Sequence, residues 1–337
     1  MLYQLARPAL FCLDAERAHH LTLATLARLP TLAGALLGVK RFEAPVHLMG
    51  LRFPNHVGLA AGLDKNASCL AAWERMGFGF VEVGTVTPQP QAGNPKPRMF
   101  RLPEHQAIIN RLGFNNLGME AMAQQLEATR AQFTGVLGVN IGKNASTPID
   151  AAADDYIACL HRLHRYADYL TANISSPNTK NLRELQNETA LNHLLASLAL
   201  ARDQRAQIEG RRAPLLVKIA PDISPEQAAV IVALAQTHGI DGLIATNTTL
   251  DRSAVVGHAH AEEAGGLSGP PVRERAQEVL KALRREAGSS YPLIGVGGIS
   301  SAADGVARRA AGAQLLQIYT GFIYQGPALV EQVARAG

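Results

Sequence analysis

From residue 55 onward the apolar positions of this chain keep switching period. The runs 56–60, 80–86, 135–141, 168–174, 215–220, 242–247, 293–297 and 315–319 are short and rich in β-branched or small residues. Their apolar positions are near-continuous rather than alternating, as in strands buried on both faces. Between them lie longer stretches, 66–76, 150–166, 188–207, 225–238 and 273–286, whose apolar residues recur at helical spacing. Start signals accompany several: Ser224 before Pro225, Ser300 ahead of a helix near Ala303, and Asp150 with Asp154 close behind. Eight strands, each followed by a helix over about 280 residues, predict an α/β fold, a closed (β/α)8 TIM barrel. A doubly wound open sheet is the alternative. It would carry a G-x-G-x-x-G turn after its first strand, which Gly58-Leu-Ala-Ala-Gly62 does not match.

Residues 1–54 fall outside this rhythm. Leu5, Ala9, Leu10 and Leu13 share one helical face, with Arg7, Asp14 and Glu16 off it. Ala18, Leu21, Leu23, Ala24, Leu26 and Leu29 then form a broad apolar helix ending at Pro30, followed by a nearly all-apolar piece at 32–37. Two readings stand side by side. One is a helical cap over the bottom of the barrel. The other is a patch lying in a bilayer surface, with Arg7, Arg17, Arg28, Lys40 and Arg41 near anionic headgroups. The longest uncharged stretch here, 29–39, is about half of what a spanning helix needs. No secretory signal is expected at the start.

Composition narrows the classes. With 47% apolar and 18% charged residues the chain can bury a large core. Three widely spaced cysteines, Cys12, Cys69 and Cys159, suit neither a disulfide framework nor a zinc site, and no metal is expected. A net charge of +4 without an aromatic-laced basic tract gives no reason to expect nucleic acid as a partner.

In a barrel of this kind the reactive groups come from the C-terminal ends of strands. Lys65, Thr85, Asn140, Asn173, Ser176, Lys218, Thr246, Asn247 and Thr248 all fall there. Each alone could be an ordinary cap or turn residue; so many at one rim point to a site. Lys65 and Lys218 stand among apolar residues. They fit snorkelling stems, a Schiff-base lysine of an aldolase, or a cation beside an electron-rich cofactor ring. The glycine-rich turns at Gly295-Val-Gly-Gly298 and around Tyr319-Thr-Gly321, with Gly269 close by, suit a phosphate-bearing ligand. Asn110-Arg-Leu-Gly-Phe-Asn-Asn116, read as following a long loop after the second strand, suits a fold-over loop. Asn173-Ile-Ser-Ser-Pro-Asn-Thr179 combines amides and hydroxyls without a charge, a set able to grip a flat molecule rich in amides and carbonyls.

These segments, with Gly79-Phe-Val-Glu-Val-Gly-Thr85, Asn94-Pro-Lys-Pro-Arg-Met-Phe-Arg-Leu102 and Gly266-Leu-Ser-Gly-Pro270, resemble the dihydroorotate dehydrogenases across nearly the whole chain. The resemblance is to the quinone-linked, membrane-associated class, because Ser176 stands where soluble relatives place Cys and because an N-terminal extension is present. It implies oxidation of dihydroorotate to orotate in pyrimidine biosynthesis, with FMN as cofactor and a membrane quinone as acceptor. By position, FMN would contact Ala61, Gly62, Leu63, Asp64, Lys65, Thr85, Asn140, Asn173, Lys218, Thr246, Gly269, Gly298, Tyr319 and Thr320. Substrate would be held by Lys65, Asn110, Arg111, Leu112, Gly113, Phe114, Asn173, Asn178, Asn247 and Thr248. Ser176 would take the C5 proton while the C6 hydride goes to flavin N5; since serine is a weak base, a relay through Thr179 and a water is the hypothesis for draining its proton. His19, Arg101 and Tyr319 would line the inner end of a quinone tunnel formed by residues 1–40, with the barrel spanning 41–337. A monomer bound peripherally at the cytoplasmic face of the cell membrane is the implied assembly. The competing function is a Schiff-base aldolase or sugar-phosphate enzyme.

Overall fold

The computed structural model describes residues 2–31 and 41–337. Eight parallel strands close into a barrel in the order β3 (Val57–Leu59), β4 (Phe80–Val86), β7 (Val136–Ile141), β8 (Tyr169–Asn173), β9 (Leu215–Ile219), β10 (Gly242–Ala245), β12 (Leu293–Val296) and β13 (Leu315–Ile318), which pairs back with β3. Every one falls inside a predicted run. Most of the predicted runs extend one or two residues further, into the loops where the polar residues sit.

The flanking helices form for local reasons. Helix α7 (Pro225–Thr237) starts in a capping box, the Ser224 hydroxyl accepting from the Gln227 amide while the Gln227 side chain accepts from Ser224 N–H. Two predicted caps are corrected. Helix α9 (Ala302–Ala310) is capped by Ser301 rather than Ser300, whose hydroxyl donates to the Asp304 carboxylate instead. Helix α5 (Ala152–Leu163) starts after Ala151 with no side-chain cap, so Asp150 plays no such part. Helix α3 (Leu70–Arg75) is only six residues long, against the predicted 66–76. Its entrance is held by Asp64, whose carboxylate accepts from Ser68 N, Cys69 N and the Trp73 indole N–H at 2.8–2.9 Å.

Two small sheets were not anticipated. The hairpin β1 (Val46–Leu48) and β2 (Leu51–Phe53) plugs the barrel's lower end, packing Phe53, Leu48 and Leu51 against Phe80, Tyr169, Leu216, Ile244 and Leu315. Strands β5 (Met99–Leu102), β6 (Ala107–Asn110) and β11 (Gly266–Ser268) form an antiparallel sheet over the rim. The stretch read as a long loop after the second strand is therefore partly strand, and it delivers Asn110 from a rigid edge.

Because the hairpin closes the bottom, the N-terminal helices do not cap it. Helix α2 (Ala15–Arg28) lies against α3 and β5, while α1 (Leu2–Phe11) packs on α2 and is bonded through Tyr3 and Arg7 to the Ile323 and Tyr324 carbonyls. Asp14 caps α2 by accepting from Arg17 N at 2.9 Å. Glu16 of α2 reaches into the protein and pairs with Arg98 at 2.7 Å, both nearly buried. Of the five cations assigned to headgroups, Arg17 and Arg28 are exposed. Arg7 instead donates to Tyr324 O, and Arg41 pairs with Glu43 and Glu74. Lys40 and the apolar piece 32–37 lie outside the described residues. No described helix is long and apolar enough to cross a membrane.

Candidate functional site: a polar cavity at the rim and an apolar cleft behind it

The strand ends converge on one cavity. Lys65, Thr85, Asn173, Ser176, Lys218, Thr246, Asn247 and Thr248 line it. So do Asn110 at the end of β6 and Leu112, Gly113 and Phe114 in the loop after it, with Asn178 opposite. Ala61, Gly62, Gly269, Gly298, Tyr319 and Thr320 complete the set of predicted residues on its wall.

Its amides are wired to one another. The Asn173 side chain donates to Thr85 Oγ1 (3.0 Å) and Asn140 Oδ1 (3.2 Å), and its own Oδ1 accepts from the Ser175 hydroxyl (3.0 Å) and Asn247 Nδ2 (3.4 Å). Ser175 thus orients the clamp, accepting in turn from Asn247 Nδ2 at 3.0 Å. Across the cavity Asn178 Nδ2 donates to Asn110 Oδ1 at 3.3 Å. Ser176 is nearly buried, and its Oγ accepts from Asn178 N at 3.2 Å, a local turn that holds the hydroxyl in place. Three residues on, Thr179 Oγ1 is buried without a hydrogen-bond partner.

Both lysines are buried, and burial lowers their pKa because a dry pocket disfavours the ammonium. Lys65 falls to about 8, Glu16 and Asp64 offsetting part of the loss while Arg98 adds to it. Lys218 is lowered too, the Glu82 carboxylate partly opposing the effect of burial.

Gly297 and Gly298 have φ of 104° and 73°, and a Cβ on Gly298 would meet Arg273 Cα at 2.5 Å. Two successive glycines leave the main-chain N–H groups here uncovered by side chains, which suits a phosphate. Gly269 (φ 97°) packs with no room for a Cβ, which would meet Gln106 O at 2.6 Å.

Several predicted residues lie off the wall. Leu63 faces the other side, and Asp64 is taken up by α3. The Arg111 side chain turns outward to pair with Glu263 at 2.6 Å over the Phe100 ring, so only its backbone belongs to the rim. Asn140 is buried beneath the cavity, holding Thr85 and Asn173. Thr179 is not a lining residue. Sequence reasoning missed Gln317, Ser268, Val272, Val296 and Ile299 on the wall, and Glu82 below it. Strand periodicity could have found Gln317, which stands two residues before Tyr319 on the same inward face.

A second cavity opens between α1, α2 and the barrel. Leu10, Phe11, Ala18, Leu26, Leu63, Met99 and Ile108 are among its lining residues, and exposed Leu2 and Leu21 stand at its mouth. His19 and Arg101 also line it. Burial lowers the His19 pKa to about 3, with Lys65 adding to the effect, so this ring is neutral. Arg101 donates to Leu10 O and Leu13 O and sits over the Phe11 ring at 4.6 Å, pinning the end of α1. Tyr319 is the exception. It lines the rim cavity, donates to Gly62 O at 3.3 Å and is absent from the cleft wall.

Comparisons with known proteins place this architecture. A family model described as dihydroorotate dehydrogenase matches residues 44–336. The chain is 56% identical to a dihydroorotate dehydrogenase (quinone) of Verminephrobacter eiseniae, covering 99% of this chain and 94% of that protein. It is 55% identical to one of Delftia acidovorans, covering 99% and 97%. Among solved structures, a dihydroorotate dehydrogenase of Eimeria tenella in complex with ferulenol superposes with a TM-score of 0.86 at 37% identity, covering 95% of this chain and 90% of that one.

Proposed function

The chain belongs to the dihydroorotate dehydrogenase family, in its quinone-linked class, and from that premise we propose that the rim cavity oxidises (S)-dihydroorotate to orotate over FMN while the apolar cleft admits the quinone that takes the electrons. The observation that carries this reading is the convergence of four asparagine amides, Lys65 and Ser176 on one wall, with the apolar cleft directly behind the 61–65 segment.

The donor set fits a flavin mononucleotide. Lys218 places a cation at the cavity floor, Thr85 offers a polar edge held from below by Asn140, and the Gly297–Gly298 turn with Thr320 suits the phosphate. Bound there, the flavin would supply the hydride acceptor for the substrate and the electron donor for the quinone. The protein's own groups do the rest. The Lys65 ammonium pairs with the substrate carboxylate. Asn110, Asn173, Asn178 and Asn247 satisfy the cyclic imide, since each amide both donates and accepts. The Ser176 hydroxyl takes the C5 proton. A serine is a weak base unless its own proton is passed on as it takes the new one; we assign that relay to the unpartnered Thr179 Oγ1, which hands its own proton to a water in turn.

On the acceptor side, the cleft's mouth at Leu2 and Leu21, with exposed Leu5 and Leu29 on the same helix pair, forms an apolar edge suited to a bilayer surface. We assign residues 1–40 to this quinone-gathering unit and 41–337 to the barrel, a monomer bound peripherally at the cytoplasmic face of the membrane.

The test is anaerobic. The purified protein should be yellow, its visible bands should bleach on adding dihydroorotate, and a quinone should restore them. A colourless protein, or bands indifferent to dihydroorotate, rejects the reading.

A further inference from the structure

Glu82 has no place in the chemistry described so far, yet it is wholly enclosed within the barrel. It sits on β4, buried under the rim cavity. Four groups from three other strands donate to it. Asn140 Nδ2 on β7 reaches Oε1 at 2.8 Å. The Tyr169 hydroxyl (3.0 Å) and Thr171 hydroxyl (3.2 Å) on β8, and Gln317 Nε2 (2.9 Å) on β13, reach Oε2.

A carboxylate only accepts hydrogen bonds, whereas an amide side chain presents a donor on one side and an acceptor on the other. Asn140 must therefore turn its NH2 down to Glu82, which turns its carbonyl up. That carbonyl accepts from Thr85 Oγ1 and from Asn173 Nδ2 (3.2 Å). Asn173, having spent its NH2 there, turns its own carbonyl toward Ser175 and Asn247, and Asn247 answers with Nδ2 at 3.4 Å. The Asn247 carbonyl is then left to accept from Thr248 N at 2.8 Å. One fixed acceptor at the bottom thus dictates the orientation of three amides in series across β7, β8 and the end of β10.

We propose that Glu82 is a positioning residue that sets the donor–acceptor polarity of the substrate clamp, acting through Asn140 on Asn173 and Asn247. This rests on the assignment of Asn173 and Asn247 to the substrate. An imide ring presents N–H and C=O groups in a fixed order, so a clamp whose amides are reversed meets donor with donor. Glu82→Gln is nearly isosteric but changes the logic. The carbonyl of the substituted side chain stays with Tyr169, Thr171 and Gln317, and its new NH2 faces the NH2 of Asn140. Asn140 must turn over, and the reversal passes up the series.

The same logic supplies a rescue. In E82Q/N140D the new side-chain NH2 at position 82 would donate to the new carboxylate at position 140. That carboxylate again accepts from Thr85 and Asn173, so the original polarity returns. N140D alone sets two carboxylates face to face.

The experiment is a double-mutant cycle read by orotate titration of the flavin bands and by the rise in melting temperature that orotate confers. Each single variant should bind orotate about tenfold or more weaker, the scale of a mispaired buried hydrogen bond. The double variant should bind more tightly than either single one. If E82Q or N140D fails to accumulate as folded protein, the double variant recovering both fold and orotate binding supports the series. A double variant no better than the worse single one overturns it, as does E82Q binding orotate like the wild type. Wild-type protein that binds no orotate would instead reject the proposed function itself.

Discussion

The two cavities meet at one short segment and differ in almost everything else. Residues 61–65 form the partition: Ala61, Gly62 and Lys65 face the rim cavity, while Leu63 faces the cleft. On the rim side, polar groups sit in a scaffold of strand ends, each oriented by a neighbour, so binding there depends on hydrogen-bond logic. On the cleft side, the wall is mostly Leu, Ala and Phe from two helices, with Met76 and Met99 from the barrel side. Of its polar groups, His19 is neutral and Arg101 is engaged with backbone carbonyls. A small polar substrate needs an ordered site whose every donor is matched. An apolar electron acceptor needs area, a wide mouth and adaptable side chains. Two half-reactions separated by one layer of backbone can therefore be tuned independently.

The largest test of that independence removes the cleft. Truncation to residue 41 should reduce quinone turnover to background while dihydroorotate still bleaches the flavin, measured by stopped flow under argon. Persisting quinone turnover would remove the cleft from the reaction. Next, Ser176→Ala should slow flavin reduction by about 10²–10⁴-fold, the usual worth of a positioned general base, and leave orotate binding within a few-fold. Quinone reoxidation of dithionite-reduced S176A should be unchanged; if it slowed as well, the two compartments would not be separable.

The Glu16–Arg98 pair is where the compartments are tied together, α2 on one side and the loop before β5 on the other. Burial opposes ionisation of Glu16, but the bond and charge of Arg98 outweigh it, with His20 and Lys96 helping, and hold its pKa at about 2. Such a depressed carboxylate stabilises the fold above its unfolded pKa and loses that contribution as pH falls toward 2. Glu16→Gln, which leaves Arg98 buried without a counter-charge, should cost roughly 3 kcal/mol in chemical denaturation at neutral pH. A loss under about 1 kcal/mol would mean that Arg98 finds solvent instead.

The smallest effect is confined to the rim. With its pKa near 8, Lys65 is charged below that value and would then grip the substrate carboxylate as proposed; above it the ammonium loses its proton. kcat/KM for dihydroorotate should fall about tenfold between pH 7 and pH 9. Lys65→Arg, which stays charged, should flatten that limb, whereas quinone KM should not follow it. A limb that survives in K65R belongs to another group.

Much of the barrel was legible because its strands are buried on both faces. Each announces itself as a compact apolar run such as 215–220 or 293–297, and its polar rim follows at once. The rim sheet was not legible, because Met99–Leu102 and Ala107–Asn110 are short and antiparallel, and the second of them pairs with Gly266–Ser268, far along the chain. Nothing local marks that pairing. The hairpin at 46–53 was missed for the same brevity. Tyr319 was assigned by resemblance to both the flavin and the quinone side, and inward alternation continuing from β13 turns it to the rim. Arg111 sits amid substrate-facing residues, but its side chain leaves for Glu263.

By itself the sequence determined the periodicity, hence eight strand–helix units, and the chemical types that gather at their ends, because burial pattern and side-chain chemistry are local properties. Tertiary structure alone decided which way each group faces. It put Leu63 and Lys65 on opposite sides of a wall, closed the barrel with a hairpin instead of helices, and placed Glu82 under the amides. Those outcomes depend on pairings between residues far apart in the chain, where packing and hydrogen-bond satisfaction choose among orientations that the local sequence leaves open.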